Sequence, residues 1–503
     1  MTELSTLADL VGGTAIGTAT VSEVTSNSCE VPAGALFAAV PGLHVHGAKF
    51  AAGALANGAV AVATDREGER IIRTQMQCVP PLLIVEDIAP RLGEIAAQVY
   101  GRPADKLTSF AITGTNGKTT TAFMLDDILN KIGRRTGLIG TVAVRLVGEE
   151  VPAALTTPMP ADLQRVLADL ITRGGTDLVM EASSHALAQG RTDPLRFSVA
   201  GFTNLTQDHL DFHHTLEEYF EAKASLFTSE RCEKAVIMID DEWGLRLWNR
   251  SMKSLGSDNV YALAMTSRLP EGARGWALAD TDTDGSLTAI DLVGESGSHV
   301  RFATSLPGDF NVANAALAAA MAIVGGVPPQ SLPELVDPAV PGRMEKIAST
   351  PRVIVDFAHN TDALAKAMTA LRPTTKGKLV VVTGAAGERD KGKRPAMGQT
   401  VGRLADVAII TDDDPHDEDP SIIRAGVLSG LAGSTAHVEE IADRRLAIEY
   451  SILRAAPEDT ILLAGRGHET IQEVAGQHIE LDDRVEARKA LAKRAVGPKE
   501  ETA

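Results

Sequence analysis

Gly114-Thr115-Asn116-Gly117-Lys118-Thr119-Thr120 brings glycines, hydroxyls and one lysine into a single short stretch. Glycines let backbone N–H groups close on an anion, and a helix starting here would add the positive end of its dipole. Lys118 has the reach for terminal phosphates, and the hydroxyl of Thr119 or Thr120 suits Mg²⁺. The stretch departs from the strict P-loop pattern, because Ile112 stands where that pattern has its first glycine. The bland alternative is a ligand-free strand-to-helix turn. An apolar run before the loop and helical spacing after it (Phe123, Leu125, Ile128, Leu129, Ile132) favour nucleotide phosphate.

Other reactive types lie downstream. Glu181 and Ser183 follow the apolar run Leu178-Val179-Met180. A carboxylate at the carboxyl end of a buried strand, facing a phosphate loop, is a good Mg²⁺ ligand. TNLTQDHLDFHH packs three histidines and two aspartates into residues 203–214, yet its spacing matches no common zinc motif. His209 is therefore expected as a further Mg²⁺ or substrate contact. Lys223, in a helical pattern over 217–227, reads by residue chemistry alone as a snorkelling surface lysine. Ser28, His44 and His46 sit in polar turns and read as loop residues.

These groups need a scaffold to position them. Residues 1–105 hold short buried-strand runs and a helix predicted over Ile88–Tyr100, closed by Gly101-Arg102-Pro103. Residues 106–341 carry the phosphate loop, a strand over Lys234–Asp240, a hairpin pattern around Gly294 and Gly297, and an alanine-rich helix over 312–324. A proline-rich linker ends this unit. Residues 342–503 alternate strand-like and helical runs, which predicts a parallel sheet with helices on its faces. Four polar clusters follow its strands and would form a second ligand edge. The last residues, GPKEETA, read as a frayed tail.

A chain of 503 residues exceeds one ordinary core, so three α/β domains are expected. A net charge of −18 argues against nucleic acid as partner, and 4% aromatics against a base-stacking platform. Three scattered cysteines exclude a disulfide framework. No signal peptide and no membrane-spanning run is apparent, so a cytoplasmic protein without stable membrane insertion is expected.

Taken together, GTNGKTTT, LTTP, MEASSHAL, TNLTQDHLDFH, YFEAKASLF, GDFNVANA, PGRME, VDFAHNTDAL, GERDKGKRPAMG and GRGHE, in this order, resemble the Mur ligases of peptidoglycan synthesis. The resemblance covers essentially the whole chain and is nearest to the branch that adds the third residue of the stem peptide. It implies a mixed α/β UDP-binding domain, a central P-loop-type mononucleotide-binding domain and a Rossmann-like C-terminal domain. It also implies ATP and Mg²⁺ as cofactors, and a monomer acting on UDP-MurNAc-L-Ala-D-Glu and a diamino acid. ATP would meet Gly114–Thr120, Asn311, Arg343 and Asp356. Mg²⁺ would meet Thr119, Glu181, His209 and Lys223, the last matching a lysine that is carbamylated in the family. Lys118, Lys223 and His209 would be catalytic. The sugar-peptide would meet Thr156, Thr157, Ser183, Gln189 and Arg191, with Ser28, His44 and His46 on the uridine side.

The incoming amino acid would meet Arg389, Asp413, Asp414, His416, Gly465 and Glu469. Family members using meso-diaminopimelate carry Asp-Asn-Pro-Arg where this chain has Asp413-Asp414-Pro415-His416. Arginine matches a distal carboxylate bidentately and neutral histidine does not. The surrounding run, Asp412–Asp419, is acidic. L-Lysine, or the shorter L-ornithine, is therefore expected over meso-diaminopimelate. A folylpolyglutamate-type ligase and a non-catalytic nucleotide-binding protein are the remaining alternatives. Asn27-Ser28-Cys29 and Asn360-Thr361-Asp362 also depart from the family pattern.

Overall fold

The computed structural model describes residues 1–496 apart from 43, 153–154, 267 and 285–286. The predicted tail, 497–503, lies outside them. Three sheets organise the chain. The first runs in the order Thr14–Ile16, Leu82–Ile84, Ala59–Thr64, Ala35–Ala38, Glu23–Thr25; its last four strands are parallel. The predicted helix over Ile88–Tyr100 begins only at Leu92, because 88–91 is spent on a turn.

The central sheet has eleven strands. Thr108–Thr113 lies between Asp177–Glu181 and Phe197–Phe202, parallel to both, with Ile112 level with Glu181. Phe110, Ala111 and Ile112 are fully buried, as expected of a strand covered on both faces. The helix Lys118–Lys131 starts directly after the loop and packs on Asp309–Val324. Small alanines on the second helix (Ala315, Ala316, Ala319) let the two backbones approach closely. Beyond the predicted hairpin the structure adds an unforeseen strand, Gly275–Asp284. It pairs with Leu287–Gly294 and carries the sheet outward. Its exposed, Asp/Thr-rich half hid it from a search for buried runs.

The third sheet runs in the order Glu345–Ser349, Arg352–Asp356, Thr460–Ala464, Leu379–Thr383, Val407–Ile410, His437–Glu440. All neighbours except the first pair are parallel, so the polar clusters after four of its strands share one edge. No helix among the described residues is long and apolar enough to cross a membrane.

Candidate functional site

Both glycines of the loop are required by geometry. Gly114 (φ +147°) and Gly117 (φ +93°) adopt conformations that disfavour side chains. A Cβ on Gly114 would stand 1.8 Å from Thr203 Oγ1, and one on Gly117 2.4 Å from Asn314 Oδ1. The loop is also stitched from outside. Thr115 N–H donates to Asn204 O at 2.9 Å, Asn116 N–H to Asn204 Oδ1 at 3.0 Å, and Thr203 Oγ1 to Asn116 O at 2.7 Å.

Lys118 Nζ folds back on its own loop, donating to Gly114 O at 3.0 Å and Thr115 O at 2.9 Å. Lys223 does not lie on the surface. It is 1% exposed, and its Nζ donates to the same Gly114 carbonyl at 2.7 Å beneath the Tyr219 ring. The surface expectation is thereby corrected: the helix Leu216–Ala224 turns this residue inward with Tyr219 and Phe220. Two ammonium groups on one carbonyl repel each other. Burial, then the charge of Lys118, lowers the Lys223 pKa far below the ordinary lysine range. Burial lowers the Lys118 pKa as well, with Glu181 and Asp208 opposing.

Glu181, 1% exposed, is gripped by Thr119 Oγ1 at 2.9 Å, Thr141 N–H at 2.8 Å and Thr141 Oγ1 at 3.1 Å. His209 adopts φ +54°, and its ring centroid lies 5.0 Å from that of His185. Burial drives its pKa down to about 3 despite Asp208. Burial alone would raise the Asp208 carboxyl; His359, Lys393 and His209 together hold it well below the usual range. The buried Glu181 carboxylate and the Thr119 hydroxyl beside it are hard oxygen donors of the kind Mg²⁺ takes.

The sugar-peptide candidates cluster beside this centre. Thr157 Oγ1 donates to Glu181 O at 2.9 Å and accepts from Ser183 N–H at 3.2 Å, while Arg191 donates to Thr157 O at 2.9 Å and to Gln189. Thr156 meets Thr141 through their hydroxyls at 3.0 Å. In the first sheet's unit, Ser28 lies on an exposed loop whose carbonyl accepts from Asn57, and His44 is exposed. His46 is engaged: its Nδ1 accepts from Ala48 N–H and its Nε2 pairs with Asp65, both at 3.1 Å.

The third sheet's edge meets the loop directly. Arg343 Nη2 lies 3.5 Å from Thr119 Oγ1, and its guanidinium rests over Phe357. Asp356 accepts from Met344 N–H at 2.7 Å and Ala358 N–H at 2.9 Å. Asn311, buried, donates to Pro307 O and accepts from Asn314. Several residues were missed in sequence. Asn360 caps the helix Thr361–Leu371 and also reaches Asn116 and Asp208, each at 3.2 Å; Asp362 accepts from Asn116 at 2.9 Å. Asparagine ahead of a helical run is a capping signal, but nothing local reveals its reach to Asn116 and Asp208.

Asp413, Asp414 and Glu469 converge, with carboxylate oxygens within 4.8 Å of one another. Arg466, fully buried, donates to Asp414 at 2.7 Å. The expected free acidic pocket over 412–419 is corrected: Asp412 pairs with Arg424, Glu418 is held bidentately by Arg394, and Asp419 caps the next helix. Only Asp413 and Asp414 of this run join Glu469. Burial, then Asp413, pushes the Glu469 carboxyl up to about 8, with Arg466 opposing. Gly465 (φ +114°) is required here, since a Cβ would stand 2.4 Å from Asp413 Oδ2. His416 pairs with Glu473 at 3.2 Å, and Arg389, largely exposed, reaches Asp211 at 4.0 Å.

A glycine-rich loop between a central parallel strand and a helix, met by the edge of a second sheet, is an α/β architecture of the mononucleotide-binding kind. Family models agree along the chain: "Mur ligase family, catalytic domain" at 20–100, "Mur ligase middle domain" at 112–322 and "Mur ligase, glutamate ligase domain" at 342–467. A UDP-N-acetylmuramoyl-L-alanyl-D-glutamate--2,6-diaminopimelate ligase of Streptomyces coelicolor is 40% identical, covering 98% of this chain and 97% of its own. One of Corynebacterium efficiens is 42% identical over 91% and 87%. A solved structure of a ligase with that name superposes with a TM-score of 0.63 at 32% identity, covering 94% and 95%. At 20% identity, MurF ligase from Thermotoga maritima in complex with ADP shares the fold, with a TM-score of 0.65 over 94% and 98%. The chain belongs to the Mur ligase family.

Proposed function

We propose that this protein joins a diamino acid to UDP-MurNAc-L-Ala-D-Glu at the expense of ATP, with domains divided at 105/106 and 341/342. The single observation that carries the reading is the convergence of Lys118, Lys223, Thr119 and Glu181 around one glycine-rich loop, met by Arg343 from the third sheet. A carboxylate is a poor acyl donor because oxide would have to leave. Attack of its oxygen on the γ-phosphorus of ATP forms a P–O bond and expels ADP. The amine then attacks the acyl carbon, phosphate leaves and the nitrogen loses a proton. Lys118 and Arg343 would hold the transferring phosphoryl charge. Thr119, Glu181 and His209 would hold Mg²⁺, which supplies charge neutralisation when bound. An uncharged amine is the form that reacts with CO₂, the lowered Lys223 pKa favours that form, and as a carbamate Lys223 would add an anionic oxygen ligand.

For the amino acid, we favour a side chain ending in ammonium alone, L-lysine or L-ornithine. Asp413 and Asp414 suit a cation, Arg466 is buried and already engaged by them, and His416 offers no bidentate partner for a second carboxylate. The second reading is meso-diaminopimelate, favoured by the names of the relatives at about 40% identity. The test is phosphate release with UDP-MurNAc-dipeptide across L-lysine, L-ornithine and meso-diaminopimelate. Release with none overturns the ligase reading; preference for meso-diaminopimelate overturns the ammonium reading only.

A further inference from the structure

The loop that carries His416 does not stand alone. The hairpin Ile471–Val474 and Gln477–Glu480 is sewn to it at successive points. Glu473 N–H donates to Asp414 Oδ1 at 3.0 Å, and His416 N–H donates to Glu473 O at 3.1 Å. Ala475 N–H donates to His416 O at 2.7 Å, and Arg466 Nη2 donates to Ile471 O at 2.6 Å. The hairpin turns through Ala475 (φ +49°) and Gly476 (φ +71°), a two-residue turn that matches strand twist. His416 itself is held at φ +52°, a conformation uncommon for a non-glycine residue, with both of its backbone groups bonded to the hairpin. The direction of its side chain is therefore set by the hairpin. There its Nδ1 meets Glu473 Oε2 at 3.2 Å, and both side chains remain partly open to solvent.

We propose that Glu473 is a selectivity-determining residue of the amino-acid site. The proposal rests on the reading of the site as one for an ammonium-ended diamino acid. Asp413, Asp414 and Glu469 already share Arg466, fully buried, as a counter-ion. Glu473, whose N–H meets Asp414, adds a carboxylate beside His416, the residue that replaces a family arginine. A substrate ammonium entering there gains a charge-assisted partner, whereas a substrate carboxylate meets like charge. His416 Nδ1, 3.2 Å from Glu473 Oε2, orients that carboxylate.

The test uses the full-length enzyme with ATP, Mg²⁺ and UDP-MurNAc-dipeptide, measuring kcat/KM for L-lysine, L-ornithine and meso-diaminopimelate. Glu473→Gln keeps the shape of a partly exposed side chain and removes only the charge. The expected result is a fall of about tenfold in kcat/KM for the preferred ammonium-ended substrate. It is expressed in the KM for the amino acid and not in the KM for ATP, with a matching rise in relative use of meso-diaminopimelate. Combining Glu473→Gln with His416→Arg should widen that shift beyond either change alone. A selectivity ratio unchanged within twofold in Glu473→Gln, while His416→Arg moves it, overturns the role of Glu473 and leaves the ligase reading standing. Wild-type preference for meso-diaminopimelate overturns the proposal together with the ammonium reading beneath it.

Discussion

The glycine-rich loop and the proposed amino-acid site are built in opposite ways. The loop is one continuous segment: strand, glycine turn and helix follow each other from Thr108 to Lys131. Its chemistry comes from backbone N–H groups and a lysine a few residues away. The amino-acid site draws Asp413–His416, Gly465–Glu469 and Glu473 from two strand ends and a hairpin, held by the buried cations Arg466 and Arg444. A site for a group every ligase of this kind shares is compact and local. A site for the group that distinguishes one ligase from another is assembled from many segments, so a change in one of them can retune it.

The largest effect should come from the local region. Lys118→Met should lower kcat by about 10³-fold while leaving selectivity among diamino acids unchanged, because only phosphoryl charge loses its partner. Steady-state phosphate release measures both, and a shift in selectivity would break the separation drawn here. Lys223→Arg preserves length but is permanently charged and cannot form a carbamate. It should lower kcat by about 10²-fold, and removal of CO₂ and bicarbonate from the wild type should reproduce part of that loss. Isotopically labelled bicarbonate should yield a carbamate NMR signal in the wild type that is missing from the variant.

The assembled region should answer to pH. The Glu469 carboxyl is raised to about 8 by burial and by Asp413, so its neutral form dominates at neutral pH. An ammonium binds the ionised form. The KM for the diamino acid should therefore fall as pH rises, by about tenfold between pH 7 and pH 9, and Glu469→Gln should flatten the profile. The smallest effect is structural. His46→Ala removes a cap on the turn Gly47–Phe50 and the link to Asp65, and should cost about 1 kcal/mol in denaturant unfolding. A larger change in the KM for the UDP-sugar than in stability would give His46 a binding role instead.

Buried runs, glycine positions and helical spacing were legible because they depend on neighbours in sequence. That reading located the phosphate loop, the carboxyl-end placement of Glu181 and the parallel third sheet. It failed at Gly275–Asp284, where an exposed sheet extension shows no buried run, and at Lys223, where helix periodicity does not reveal which face meets another element. The acidity of 412–419 was legible, but its neutralisation by Arg394 and Arg424 was not, since an ion pair depends on distance in space.

By itself, then, the order of residues determined that this chain builds a glycine-rich loop between strand and helix and, through its succession of motifs, which family it joins. Only the tertiary structure decided the charge states on which the chemistry turns. Lys118 and Lys223 are 105 residues apart in sequence yet share the Gly114 carbonyl, and burial lowers the pKa of both, that of Lys223 further through the charge of Lys118. Asp414 and Glu473 likewise meet only because a parallel sheet delivers two strand ends to one edge. Electrostatic energy follows separation and burial, and folding alone sets both.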